Sequence, residues 1–114
     1  MRHCWFKRYA RDECRWRHDG QADPCHLIPK QRIKSELRAL GLPAREIKDA
    51  VWDERLVVPG CRHHHDAFDG KRLPLLEDDY PPALRDWAAD NDFVFIDART
   101  GWIAVVTDTG GAAA

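Results

Sequence analysis

The apolar positions of this chain keep no period for about twenty residues and then fall into short, distinct patterns. Residues 1–21 alternate charge with aromatics (Trp5, Phe6, Tyr9, Trp16) and read as an irregular knuckle or loose hairpin that needs something to hold it. Asp23-Pro24 leads into Cys25-His26-Leu27-Ile28, a strand-like run that Pro29 stops. A helix is expected from Lys30, with Ile33, Leu37 and Leu40 on one face and Gly41 where a helix C-terminus favours a residue tolerant of positive φ. Pro43 can open a second short helix with Ile47, Ala50 and Val51 inward. Leu56-Val57-Val58-Pro59-Gly60 is an extended run ending in a turn, and residues 61–70 form a helix that begins near Cys61 and stops at Gly70. After Pro81-Pro82, Leu84, Trp87 and Ala88 mark a short amphipathic helix. Residues 93–96 and 102–106 then flank Asp97-Ala98-Arg99-Thr100-Gly101 as a hairpin-like pair.

These elements make an α+β chain. Its 114 residues are the length of one domain, and a domain of that size buries roughly two-thirds of its unfolded surface, so it gains from a staple. Residues 1–76 are expected to form the core and 77–109 a helix-and-hairpin extension of the same domain, with 110–114 a disordered tail. No apolar run approaches the ~18 residues of a membrane span. Residues 1–17 are basic and hold no apolar segment or small-residue cleavage site, so the expected compartment is the cytoplasm. Net charge is −1, but it is unevenly spread: ten Lys/Arg against five Asp/Glu in residues 1–38, and eight against fourteen afterwards. A basic first third suits phosphates; a solvated arginine-rich surface accounts for it equally well.

Four cysteines and six histidines change the picture more than charge does. Cys61 and His64 have the two-residue separation of a zinc half-site in which a turn runs into a helix. Cys4 and Cys14 are the candidates for the other half, although the nine residues between them exceed the usual two to four. Free buried thiols with surface histidines, or a disulfide, are the alternatives. With His64 on such an ion, His65 points about 100° away and shares a face with Asp69 at i, i+4. That is how one helix offers an imidazole and a carboxylate to a second metal; it is also a common surface hydrogen-bonded pair. His26, at a strand end among apolar neighbours, suits a general base as well as it suits a satisfied core or turn histidine.

The order of a Cys pair, then His26-Leu27-Ile28-Pro29-Lys30, then Cys61-x-x-His64-His65 with Asp69, resembles the HNH endonuclease family. It is similar to the zinc-containing form common in bacteria and their phages, and especially to small phage and actinobacterial members that carry the run from Cys25 to Gln31. The resemblance covers about residues 4–70. It implies a ββα-metal fold, with two strands and a helix around one catalytic ion and a structural zinc outside. It implies His26 as the base that activates water, and His65 with Asp69 as ligands of a catalytic Mg or Mn ion. Cys4, Cys14, Cys61 and His64 become the structural Zn ligands. Two positions depart from the family pattern. Cys25 stands where an Asp or His often binds the catalytic ion, and Leu56 stands where an Asn fixes the base or its loop; Asp53 or Arg55 are the candidates to take over that orienting role.

The expected function is therefore metal-dependent hydrolysis of DNA phosphodiester bonds, with Arg15, Arg17, Lys30, Arg32 and Lys34 on phosphates. The alternative is a catalytically weak or inactive zinc-binding nucleic-acid or adaptor module of a phage or mobile element, for which Leu56 and Cys25 argue. An RNA-directed enzyme on the same scaffold is a third reading. A phage or mobile-element protein partner is compatible with any of them, as is a monomer or a homodimer; a membrane partner is not expected.

Overall fold

A computed structural model describes residues 3–105. The pairing of β1 (Asp23–His26) with β2 (Val57–Gly60) organises the first part of the chain. The strands are antiparallel, with Pro24 opposite Pro59 and His26 opposite Val57. Neither proline can donate to a ladder, so their pair has to be one that exchanges no hydrogen bonds. The hydrogen-bonded pairs are then their neighbours, and the alternation continues to Leu27 N–H, which donates to the Leu56 carbonyl at 3.0 Å. The strand thus begins two residues before the expected run at Cys25 and ends at His26. Leu27 and Ile28 are buried in the turn that follows.

Between the two strands the chain inserts α1 (Lys30–Ala39) and α2 (Ala44–Val51). Ile33 and Leu37 are buried, as the period requires, but Leu40 is exposed. The helix ends at Ala39, and Leu40 lies in the cap. Gly41, at φ +86°, lets its own N–H reach the Arg38 carbonyl while Leu42 N–H reaches the Leu37 carbonyl, the two bonds of a Schellman ending. Pro43 precedes α2 rather than opening it, and Ile47 and Val51 face inward.

β2 runs directly into α3 (Arg62–Asp69). Cys61 is the N-cap, its Sγ accepting the His64 N–H. The rest of the described chain forms α4 (Pro82–Asp90) and a hairpin of β3 (Phe93–Phe95) and β4 (Trp102–Ala104). Asp97 accepts from the Arg99 and Thr100 N–H groups at the tip, and Gly101 takes φ +76°. Val106 and the tail at 110–114 lie outside the described residues. The described residues therefore form a mixed α+β fold with four α-helices and two small antiparallel sheets. None of these helices is long and apolar enough to cross a membrane.

Buried side chains run from the first segment to the last, from Trp5 and Phe6 through Ile28, Ile33, Leu37 and Leu56 to Leu84, Trp87 and Trp102. Arg32 on α1 donates to the carbonyls of Thr100 and Trp102, and Tyr9 hydroxyl donates to the Asp79 carbonyl at 2.9 Å, so the hairpin and the loop before α4 are tied to the first part. Gly60 is closely packed: a Cβ there would meet Cys25 Sγ at 2.8 Å and Phe6 Cε2 at 2.9 Å. Gly60→Ala is expected to lower unfolding free energy by about 1–3 kcal/mol, the range for overpacking a filled core. Denaturant melting of the two chains side by side checks this; equal midpoints would contradict the packing described.

Candidate metal centre and cleft

The N-terminal knuckle has little regular structure, a 3-10 turn at Trp5–Arg8 followed by loop, yet Cys4, Trp5 and Phe6 are buried. Cys4 and Cys14 from this loop meet Cys61 and His64 from the start of α3, and one ligand atom from each lies within 4.8 Å of the others. His64 Nδ1 is 3.2 Å from Cys61 Sγ, 3.5 Å from Cys4 Sγ and 3.7 Å from Cys14 Sγ. A tetrahedral zinc with bonds of about 2.3 Å to sulfur and about 2.0 Å to nitrogen spaces such atoms about 3.6 Å apart. The set therefore suits a metal ion, and three soft sulfurs with one imidazole are zinc's donor chemistry. None of the four cysteines is in a disulfide.

The electrostatics agree with the geometry. Burial, reinforced by the neighbouring Cys61 and Cys4 thiols, pushes the Cys14 thiol up to about 12. Cys14 therefore resists carrying negative charge unless a cation joins it. Two backbone N–H groups already point at the sulfurs, Cys61 N–H at Cys4 Sγ and His64 N–H at Cys61 Sγ, both at 3.3 Å.

Asp12 completes the arrangement from outside, and sequence reading missed it. Its carboxylate accepts from His64 Nε2–H at 3.0 Å and also from His63. The hydrogen bonds from His63 and His64 hold its carboxyl down to about 2. Because a carboxylate can only accept, His64 carries its proton on Nε2 and turns the Nδ1 lone pair toward the sulfurs. Carboxylates orient metal-binding histidines in this way. The only signal in the sequence was an Asp two residues before Cys14.

The next residue along α3 faces elsewhere. His65, His26 and Asp69, up to 43 positions apart in sequence, line a single cavity of about 550 Å3 with Lys30, Lys71 and Arg99. His26 is held by its ring: Nε2–H donates to the Val51 carbonyl at 2.6 Å. A carbonyl cannot donate, so Nδ1 is the basic nitrogen. Burial, with Lys30 and His65 acting in the same direction, pushes the His26 pKa below 6.5 against the pull of the Val51 bond and Asp69. The His26 ring is thus oriented by a backbone carbonyl at the end of α2, while Asp53 and Arg55, expected to share in orienting the base, pair with each other. Leu56 is fully buried.

His65 is braced by a residue the sequence reading passed over. Asp23, 4% exposed, accepts from His65 Nδ1–H at 3.0 Å and pairs with Arg62 and Arg17 at 3.4 and 3.5 Å. Burial opposes the charge on Asp23, but the His65 and Arg62 contacts outweigh it and hold the carboxyl below its ordinary range. In the neutral ring, Nε2 is then a lone pair 3.1 Å from Asp69 Oδ2. An octahedral ion with bonds of about 2.1 Å holds neighbouring ligands about 3 Å apart, so this pair fits two corners of one. Asp23 was hidden because the strand was expected to start at Cys25.

Cys25 does not reach this cavity. Alternation along β1 turns it to the opposite face from His26, where it is fully buried and its Sγ–H donates to the Asp23 carbonyl. The five expected phosphate-binding cations divide between the knuckle and α1. Arg17 is engaged with Asp19 and Asp23, Arg32 with the hairpin carbonyls, and Arg15 is exposed on the knuckle. Lys30 lines the cavity and Lys34 is exposed on α1.

Asp12→Ala, which leaves all four metal ligands in place, is expected to weaken zinc retention by about 10–100-fold. Competition with a chromogenic chelator reads this directly, and wild-type retention would contradict the role given to Asp12. Compared with protein-family models, curated proteins and solved structures, the chain matches none.

Proposed function

We propose that this chain is a metal-dependent endonuclease of the HNH type, with a ββα-metal core stapled by zinc, that hydrolyses DNA phosphodiester bonds. One observation carries the reading: His26 at the end of β1 and the His65–Asp69 pair on α3 line one cavity. They reach it from an antiparallel strand pair that runs straight into a helix.

In this mechanism His26 Nδ1 takes a proton from water as the water oxygen attacks phosphorus and the P–O3′ bond breaks, the departing 3′ oxygen taking a proton from solvent. The Val51 carbonyl keeps the ring in the right tautomer, and burial keeps it neutral near pH 7. His65 and Asp69 would hold a Mg or Mn ion, an imidazole and a carboxylate that suit either cation. When bound, that ion supplies positive charge to the phosphoryl group and to the leaving 3′ oxygen. Asp23 fixes the His65 ring, and Lys30, Lys71 and Arg99 set the phosphate in the cavity without reading sequence.

The alternative, a zinc-braced binding or adaptor module without catalysis, has Leu56 in its favour: an apolar, fully buried side chain stands where the family pattern has an Asn.

Nicking of supercoiled plasmid separates the two. With Mg or Mn added, the native chain is expected to nick, and His26→Ala to lose at least about a hundredfold, the lower range for a general base. A protonated His26 cannot accept a proton, so activity should fall only as pH drops through a value below 6.5. DNA binding with no nicking in any metal would establish the adaptor reading instead.

A further inference from the structure

The α1–α2 insertion carries a second cavity, of about 500 Å3, beside the first. Leu42, Ile47 and Val51 give it an apolar floor, and Lys34, Arg38 and Lys48 form its rim. Lys30 lines both cavities. Lys30, Lys34 and Arg38 recur at i, i+4 and i+8 on α1, a stripe about 12 Å long. Among the described residues, no carboxylate pairs with any of these four cations.

At the end next to the first cavity stands Trp52, 55% exposed. Lys30 Nζ lies 4.9 Å from the centre of its ring, and the Trp52 and His26 rings meet in a T-shaped contact with centroids 4.9 Å apart. More than half of this tryptophan faces solvent, between cations that no carboxylate pairs with and a candidate catalytic histidine. A flat apolar face flanked by positive charge is how proteins hold an unpaired nucleic-acid strand.

We infer that this groove binds an unpaired DNA strand, with Trp52 stacked on a base and Lys30, Lys34, Arg38 and Lys48 along its phosphates leading to the His26 cavity. A duplex keeps its base faces stacked and closed to Trp52, which favours a single strand. The choice of DNA over RNA follows the proposed substrate of the adjoining cleft, because Lys, Arg and Trp side chains can hold either strand. The inference rests on the nucleic-acid reading of the cleft, but its test needs no cleavage.

Fluorescence anisotropy of a short labelled DNA oligonucleotide, on zinc-loaded protein without added Mg or Mn, measures it. Trp52→Ala should weaken single-strand binding by about tenfold or more and leave binding of the matching duplex nearly unchanged, with Trp52→Phe retaining most of the affinity. The double change Lys34→Ala, Arg38→Ala should reduce the slope of log affinity against log salt by about 1.4. Folded Trp52→Ala with native single-strand affinity would overturn the inference. So would tighter binding of the duplex, or of an RNA strand, than of the DNA strand. If Trp52→Ala does not fold, an unchanged salt slope in the Lys34, Arg38 double variant overturns it alone. Absence of nicking alongside Trp52-dependent binding refutes the nuclease and leaves the groove standing; nicking alongside Trp52-independent binding refutes the groove only.

Discussion

Three cysteine sulfurs and one imidazole nitrogen meet where the N-terminal loop crosses the start of α3. Cys4 and Cys61 are 57 positions apart, and little regular structure before β1 brings them together. What the loop does offer is Trp5 and Phe6, which bury against the β2–α3 corner, and Phe6 in particular packs on Phe68 and beneath Gly60. Apolar burial gathers the same few residues that could hold a metal ion. In such a site the free energy of binding the ion is also free energy of folding, and a small domain with a loop-rich end gains most from it.

The corner matters because α3 presents a histidine on each of two faces. His64 turns into the sulfur cluster and His65, about 100° round the helix, turns to the cleft. Each ring is steadied by a carboxylate from elsewhere in the chain, Asp12 for His64 and Asp23 for His65. Any disorder in the knuckle would loosen Cys61 and His64, and with them the first turn of α3 that aims His65. An ion held by the sulfur cluster and the proposed catalytic ion would be coupled through one helix turn rather than through a shared ligand.

Much of this was legible in the sequence because it follows from local periods and spacings. The helices at 30–39 and 62–69, the extended run before Cys61 and the Cys61–His64 half-site sit where pattern and spacing point, and Cys4 and Cys14 join that half-site although the nine residues between them are no standard spacing. What was not legible depends on tertiary pairing. The start of β1 at Asp23 is decided by the partner strand, through the Pro24–Pro59 pair, and no single-strand pattern carries that information. Asp12 and Asp23 look like ordinary turn residues until the fold sets each against a histidine some forty to fifty positions away. The orientation of His26 comes from the Val51 carbonyl, a group that every residue possesses and no motif can mark. Leu40 was placed inward by its period and released by the helix ending one residue earlier.

Zinc K-edge X-ray absorption on the purified protein tests the metal corner on which both sites depend. The account predicts three sulfur neighbours at about 2.3 Å and one nitrogen at about 2.0 Å. A protein that carries no zinc, or a shell of oxygen and nitrogen alone, would contradict it.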